Sequence, residues 1–174
     1  MAQIVLLKRR CFEGSIVGSL NTGDNEMGLF SGIKDTFKMS EAAVVVQNLL
    51  EHQAKCGLFD LSPAAYATEL VGKVWQGKPD VFGGKFGQRP HKISTAAVAL
   101  GFGYSRMRED DLNRNAVLLA LGMLLAEVER NGNLYPLNSL DHQLLENVAK
   151  RFAEAVEKLE PELAAADSLL NGRS

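Results

Sequence analysis

The feature that most constrains this chain is an unbroken apolar run of eleven residues, Ala116 to Ala126. A bilayer-spanning helix needs about 20 apolar residues, so the run is too short to cross a membrane. It is also too long for an ordinary buried strand of roughly 4–8 residues. Glu109, Asp110 and Asp111 precede it, and acids are favoured at a helix N-terminus by the backbone dipole. Asn131-Gly132 follows as a stop signal. The expected element is a helix from Asp111 to Arg130, apolar on every face through its middle. Such a helix must be wrapped by neighbours. It is the expected pillar of the fold.

The flanking segments supply those neighbours. Leu29, Phe30, Ile33 and Phe37 recur at helical spacing. Ser40 is the expected N-cap of a longer helix that ends near Cys56, where Gly57 can take the left-handed stop. Ser62-Pro63 opens a helix carrying Leu70, Val71, Val74 and Trp75, with proline at a position that needs no N–H. Residues 77–92 hold Gly77, Pro79, Gly83, Gly84, Gly87 and Pro90, and are expected to be loop. Helix resumes from Ile93 to Arg106, with Ser94 or Thr95 as caps. Its Ala96, Ala97, Ala99, Gly101 and Gly103 are small enough for close backbone approach. Ser139 is the expected cap of an amphipathic helix that buries Leu144, Leu145, Val148 and Phe152 and wets Asp141, Glu146 and Lys150. Pro161 should interrupt it. The fold class is therefore all-α: a single-domain bundle of about five to seven helices around the central apolar one.

Residues 1–26 differ from the rest. Gln3 to Leu7 can form a short strand, and Gly14, Gly18, Asn21, Gly23 and Asp24 then bring turn chemistry. The segment reads as an irregular, short β-like or disordered extension, with 27–174 as the helical domain. Met27 is an alternative start of the native chain. The apolar stretch at Ile4–Leu7 is short and is followed, not preceded, by Lys8-Arg9-Arg10, unlike a secretory signal. Two cysteines, Cys11 and Cys56, make no disulfide framework or zinc motif. A cytoplasmic location is expected.

Little here carries chemistry by itself. Phe82-Gly83-Gly84-Lys85-Phe86-Gly87 contains glycines and a lysine, but Pro79 and Phe86 stand where a P-loop needs glycine and a hydroxyl. His52 with Cys56, and His142 with Glu146, are spaced four apart on helices. Two ligands fall short of the three or four that zinc takes from a protein, so no metal or cofactor is expected. No catalytic constellation is assigned. His91 is titratable but has no partnered nucleophile in sequence.

Charge is more informative. Residues 73–108 carry seven bases and one acid, while 109–174 sum to −6 and the whole chain to −2. Lys78, Lys85, Arg89, His91, Lys92, Arg106 and Arg108 are the candidate contacts for an anion or nucleic acid, with Phe82, Phe86 and Tyr104 interleaved for stacking. The competing reading is that this stretch complements the acidic C-terminal helix, within the chain or across a dimer. The amphipathic stretch Leu29–Lys38 is too short and too weakly charged to favour a membrane surface.

Ala126-Glu127-Val128-Glu129-Arg130-Asn131-Gly132-Asn133 lies between two amphipathic helices. It resembles the helix–turn–helix of tellurite-resistance TerB-like domains, whose turn has an acid before glycine where Asn131 stands here. No functional residue carries over. The function expected from the sequence is a non-enzymatic helical interaction or structural module that binds a protein partner or itself. The alternatives are nucleic-acid or anionic-ligand binding through 73–108, and an enzyme whose site only the fold assembles, around His91.

Overall fold

A computed structural model describes residues 31–82 and 89–171. Among them 83% are helical, in six helices with no strand. The all-α class holds. These are α1 (Ser31–Lys55), α2 (Pro63–Gly77), α3 (Pro79–Phe82), α4 (Lys92–Arg106), α5 (Leu112–Asn131) and α6 (Ser139–Asn171). A 3₁₀ turn, Gly132–Leu134, follows α5. The expected strand at Gln3–Leu7, the possible start at Met27 and the Gly83–Gly87 loop lie outside the described residues.

The chain divides into two compact units, 30–152 and 1–29 with 153–174. In the larger unit α1 packs on α2, α4 and α5, and α4 packs on α1, α2 and α5. The core is drawn from all four, with Val46 and Leu50 from α1, Val71 from α2, Leu100 from α4, and Val117 and Leu121 from α5. The small residues of α4 do allow close packing. A Cβ added at Gly103 would sit 2.8 Å from Leu70 Cδ1 and 3.2 Å from the Tyr66 hydroxyl. In the smaller unit the described part, 153–171, is the continuation of α6.

Local chemistry explains most helix ends. Gly57 has φ +72°. The Leu58 N–H reaches the Gln53 carbonyl at 3.0 Å and the Gly57 N–H reaches Ala54 at 2.9 Å, a Schellman stop for α1. Ser62 caps α2 and Pro63 occupies its first turn. The Asp111 carboxylate accepts the Asn113 N–H at 2.9 Å to start α5. The Asn113 side-chain oxygen then accepts the Asp60 N–H at 3.0 Å, tying the end of the α1–α2 connection to α5.

Five local expectations are corrected. Ser40 is not an N-cap but an interior residue of a continuous α1. A mid-helix serine costs only about 0.5 kcal/mol against alanine, too little to break a helix held by packing. Residues 77–92 are not all loop, because Pro79–Phe82 makes one helical turn. That turn buries Phe82 against Trp75, with ring centroids 5.9 Å apart. Neither Ser94 nor Thr95 caps α4. Both are buried, and His91 is the cap. Asn138, not Ser139, caps α6: its side-chain oxygen accepts the Asp141 N–H at 3.0 Å, while the Asp141 carboxylate accepts the Asn138 N–H at 2.9 Å. This is a reciprocal capping box. Pro161 does not interrupt α6, which runs through it. The proline forfeits one hydrogen bond at an exposed position, where water can take up the freed carbonyl.

The apolar run itself is only partly enclosed. Ala116, Val117, Leu118, Ala120, Leu121 and Leu124 are buried. At about 100° per residue these occupy one arc of roughly 200°. Leu119, Gly122, Met123 and Ala126 fall on the remaining arc, and Leu125 lies near the edge of the enclosed one; all five are half-buried. The neighbours expected on every side cover one side fully and leave the other partly open.

Candidate functional site

The residues singled out by charge do not form one patch. Lys78 is exposed at the end of α2, and Lys85 lies outside the described residues. Arg89, His91 and Lys92 lead into the N-terminus of α4, whereas Arg106 ends it and Arg108 lies just beyond. Fifteen helical residues separate these groups by about 22 Å. Arg106 lies over the Phe102 ring at 5.2 Å, and Arg108 pairs with Asp110 at 3.1 Å. Of the aromatic residues proposed for stacking, Phe82 is buried, and Tyr104 is covered by the Arg114 guanidinium at 4.5 Å. Phe86 lies outside the described residues.

The N-terminus of α4 is instead a polar junction that sequence reading placed wrongly. Asp141 was expected on the wet side of α6, yet it is fully buried. Its carboxylate accepts the His91 N–H at 2.6 Å, the Ser94 hydroxyl at 2.5 Å and the Asn138 N–H at 2.9 Å. The Asn138 amide donates to the Arg89 carbonyl at 3.2 Å. One carboxylate thus serves the N-termini of α4 and α6 together, where both helix dipoles favour negative charge.

Ser94, His91 and Asp141 are the residue types of a nucleophilic triad, but their connections are different. In a triad the imidazole lies between hydroxyl and carboxylate. Here the single proton of the Ser94 hydroxyl faces two acceptors, the Asp141 carboxylate directly and the His91 carbonyl at 2.9 Å. The His91 Nδ1 accepts the Ile93 N–H at 3.3 Å as the cap of α4. Ser94 is fully buried, so no substrate reaches its hydroxyl. The junction is a structural clamp.

That clamp gives the fold a pH dependence. Burial holds the His91 pKa below its ordinary 6.5. Lys92 and Lys38 act in the same direction, and Asp141 and Glu41 oppose them. The unfolded chain therefore binds the proton more readily. The stability that this neutral cap contributes is fully present above about pH 6.5 and declines as the pH falls from there toward the lowered value. Urea unfolding midpoints measured from pH 8 to 5 should fall with pH in the native chain. In His91→Ser, which can cap without titrating, that part of the slope should disappear. An unchanged slope would assign the effect to another group.

The second feature is a groove between α5 and the first half of α6, about 660 Å³ in volume. The Phe152 ring of α6 lies against Gly122 of α5; a Cβ there would stand 2.9 Å from the ring. Gly122, Leu125, Ala126 and Glu129 form one wall, and Leu145, Glu146, Ala149 and Phe152 form the other. On both helices the spacing alternates between three and one or three and three, the register of a helix–helix seam. Leu137 lies at the turn between the two walls. His142 lines the groove near Glu146, as their spacing implied. Among the described residues, however, no group of three potential ligands could hold a metal, and none includes His52 with Cys56. No helix among them is long and apolar enough to cross a membrane.

No protein-family model matches the chain, and no curated protein or solved structure shows significant similarity to it.

Proposed function

We propose that this protein is a non-enzymatic interaction module that receives a helix of a protein partner in the α5–α6 groove. The observation that carries this reading is the groove itself: an apolar seam from two adjacent helices whose core-facing sides are already satisfied. Leu125, Ala126, Ala149 and Phe152 are spaced to accept a third helix. In helix-in-groove recognition the incoming helix lays anchors at i, i+3, i+4 and i+7 into such an apolar seam. The polar junction at Asp141 supports the same reading, because the enzyme alternative centred on His91 finds its hydroxyl sealed and its imidazole engaged in capping.

Selection from a library of helical peptides, unbiased in charge, tests this reading. Ala149 is exposed in the groove wall, so Ala149→Trp fills the groove without entering the core. Selected peptides should bind the native chain and lose at least about tenfold in affinity on the variant, a change of about 1.4 kcal/mol. Binders indifferent to Ala149→Trp, and lost instead on Lys78→Glu with Lys92→Glu, would overturn the groove reading in favour of the basic segment.

A further inference from the structure

Resting on that reading, we infer that the groove is built for a basic amphipathic helix, with Glu129 and Glu146 as paired anchors for cations on either side of its apolar stripe. Glu129 comes from α5 and Glu146 from α6, so one carboxylate stands on each wall. Both are exposed, and neither forms an ion pair among the described residues. By contrast, nearby Glu127 is engaged by Asn131 at 2.9 Å and by the Tyr135 hydroxyl at 3.2 Å.

The floor limits the shape of the partner. Gly122 is taken up by the Phe152 ring, but Ala126 and Ala149 are small, so a facing helix can approach closely and insert leucine- or methionine-sized side chains. A lysine or arginine beside that stripe has a long apolar stem that can lie along half-buried Leu125 while its head reaches a rim carboxylate. The groove thus specifies an apolar stripe of one residue per helical turn, flanked by bases on both edges. An acidic helix would meet two unpaired carboxylates and be rejected by like-charge repulsion.

Three synthetic peptides of about 20 residues, long enough to sustain helix, separate the outcomes. They share one leucine stripe and carry lysine, glutamine or glutamate on its flanks. Fluorescence anisotropy with the full chain at low salt should rank lysine over glutamine over glutamate, with about tenfold or more between the extremes. The gap should narrow at 1 M salt, where the screening length is about 3 Å. Glu129→Gln with Glu146→Gln should erase the ranking and leave glutamine-peptide binding unchanged. If all three peptides bind equally and all are lost on Ala149→Trp, the basic partner is wrong and the groove stands. If none responds to Ala149→Trp, the groove reading falls as well. A concentration-dependent dimer abolished by Ala149→Trp would make a second copy the occupant and overturn the inference.

Discussion

Replacing Asp141 with alanine is expected to destabilise the larger unit by about 2–5 kcal/mol, the scale of leaving two buried backbone donors without an acceptor. Two donors depend on this carboxylate, the His91 N–H and the Asn138 N–H, while the Ser94 hydroxyl can turn to the His91 carbonyl. Each buried donor left unsatisfied costs about 1–3 kcal/mol. Water entering the space recovers part of that cost, which keeps the total below the sum. Asp141→Asn should fall between native and alanine, because one amide oxygen still accepts while the other position presents a donor to a donor. Urea unfolding followed by circular dichroism checks both, with the slope m unchanged if the unfolded surface is the same. A loss under about 1 kcal/mol for Asp141→Ala would mean that the carboxylate is not holding the two helix ends.

The contrast between this residue and its surroundings shows what was legible in the sequence. Helix positions with strong stripes, such as Leu70, Val71, Val74 and Trp75, carried their burial in their spacing. The stop at Gly57 and the cap at Ser62 were likewise local, each decided within a few residues by backbone conformation or one side-chain oxygen. Asp141 was not legible, because its partners His91 and Ser94 lie 50 and 47 residues away. A charged residue on an amphipathic helix reads as wet until another helix end arrives to desolvate it. One signal was available: Asn138-x-x-Asp141 has the spacing of a capping box, which points the acid back at a helix start and away from bulk water. The candidate groove was half legible. Its apolar floor lay within Ala116–Ala126, but periodicity alone cannot say whether a face is covered by the chain or by a partner. Charge clustering was the poorest guide. A stretch contiguous in sequence was split between the two ends of α4 once it became helical.

The same run supplies the second large effect, as a comparison between two leucines on one helix. Leu121 is 2% exposed, within the enclosed arc of α5. Leu125, one turn later, is half-buried and lines the groove. Leu121→Ala removes side-chain atoms from close packing and leaves a cavity that its helical neighbours cannot fully collapse. A loss of about 2–5 kcal/mol is expected. Leu125→Ala removes the same atoms from a site already open on one side. Less burial is lost and no enclosed void remains, so its stability cost should be under about 1.5 kcal/mol, below the value for fully burying a leucine. Binding should reverse the order, with Leu125→Ala weakening a groove-directed peptide more than Leu121→Ala does at a temperature where both variants are folded. Equal stability costs would mean that Leu125 is enclosed as Leu121 is. In that case the groove has no free apolar wall to offer. Unequal costs with the predicted inversion in binding would separate the two tasks of this one helix, in which Leu121 holds the fold together and Leu125, one turn on at the edge of the enclosed arc, serves a partner.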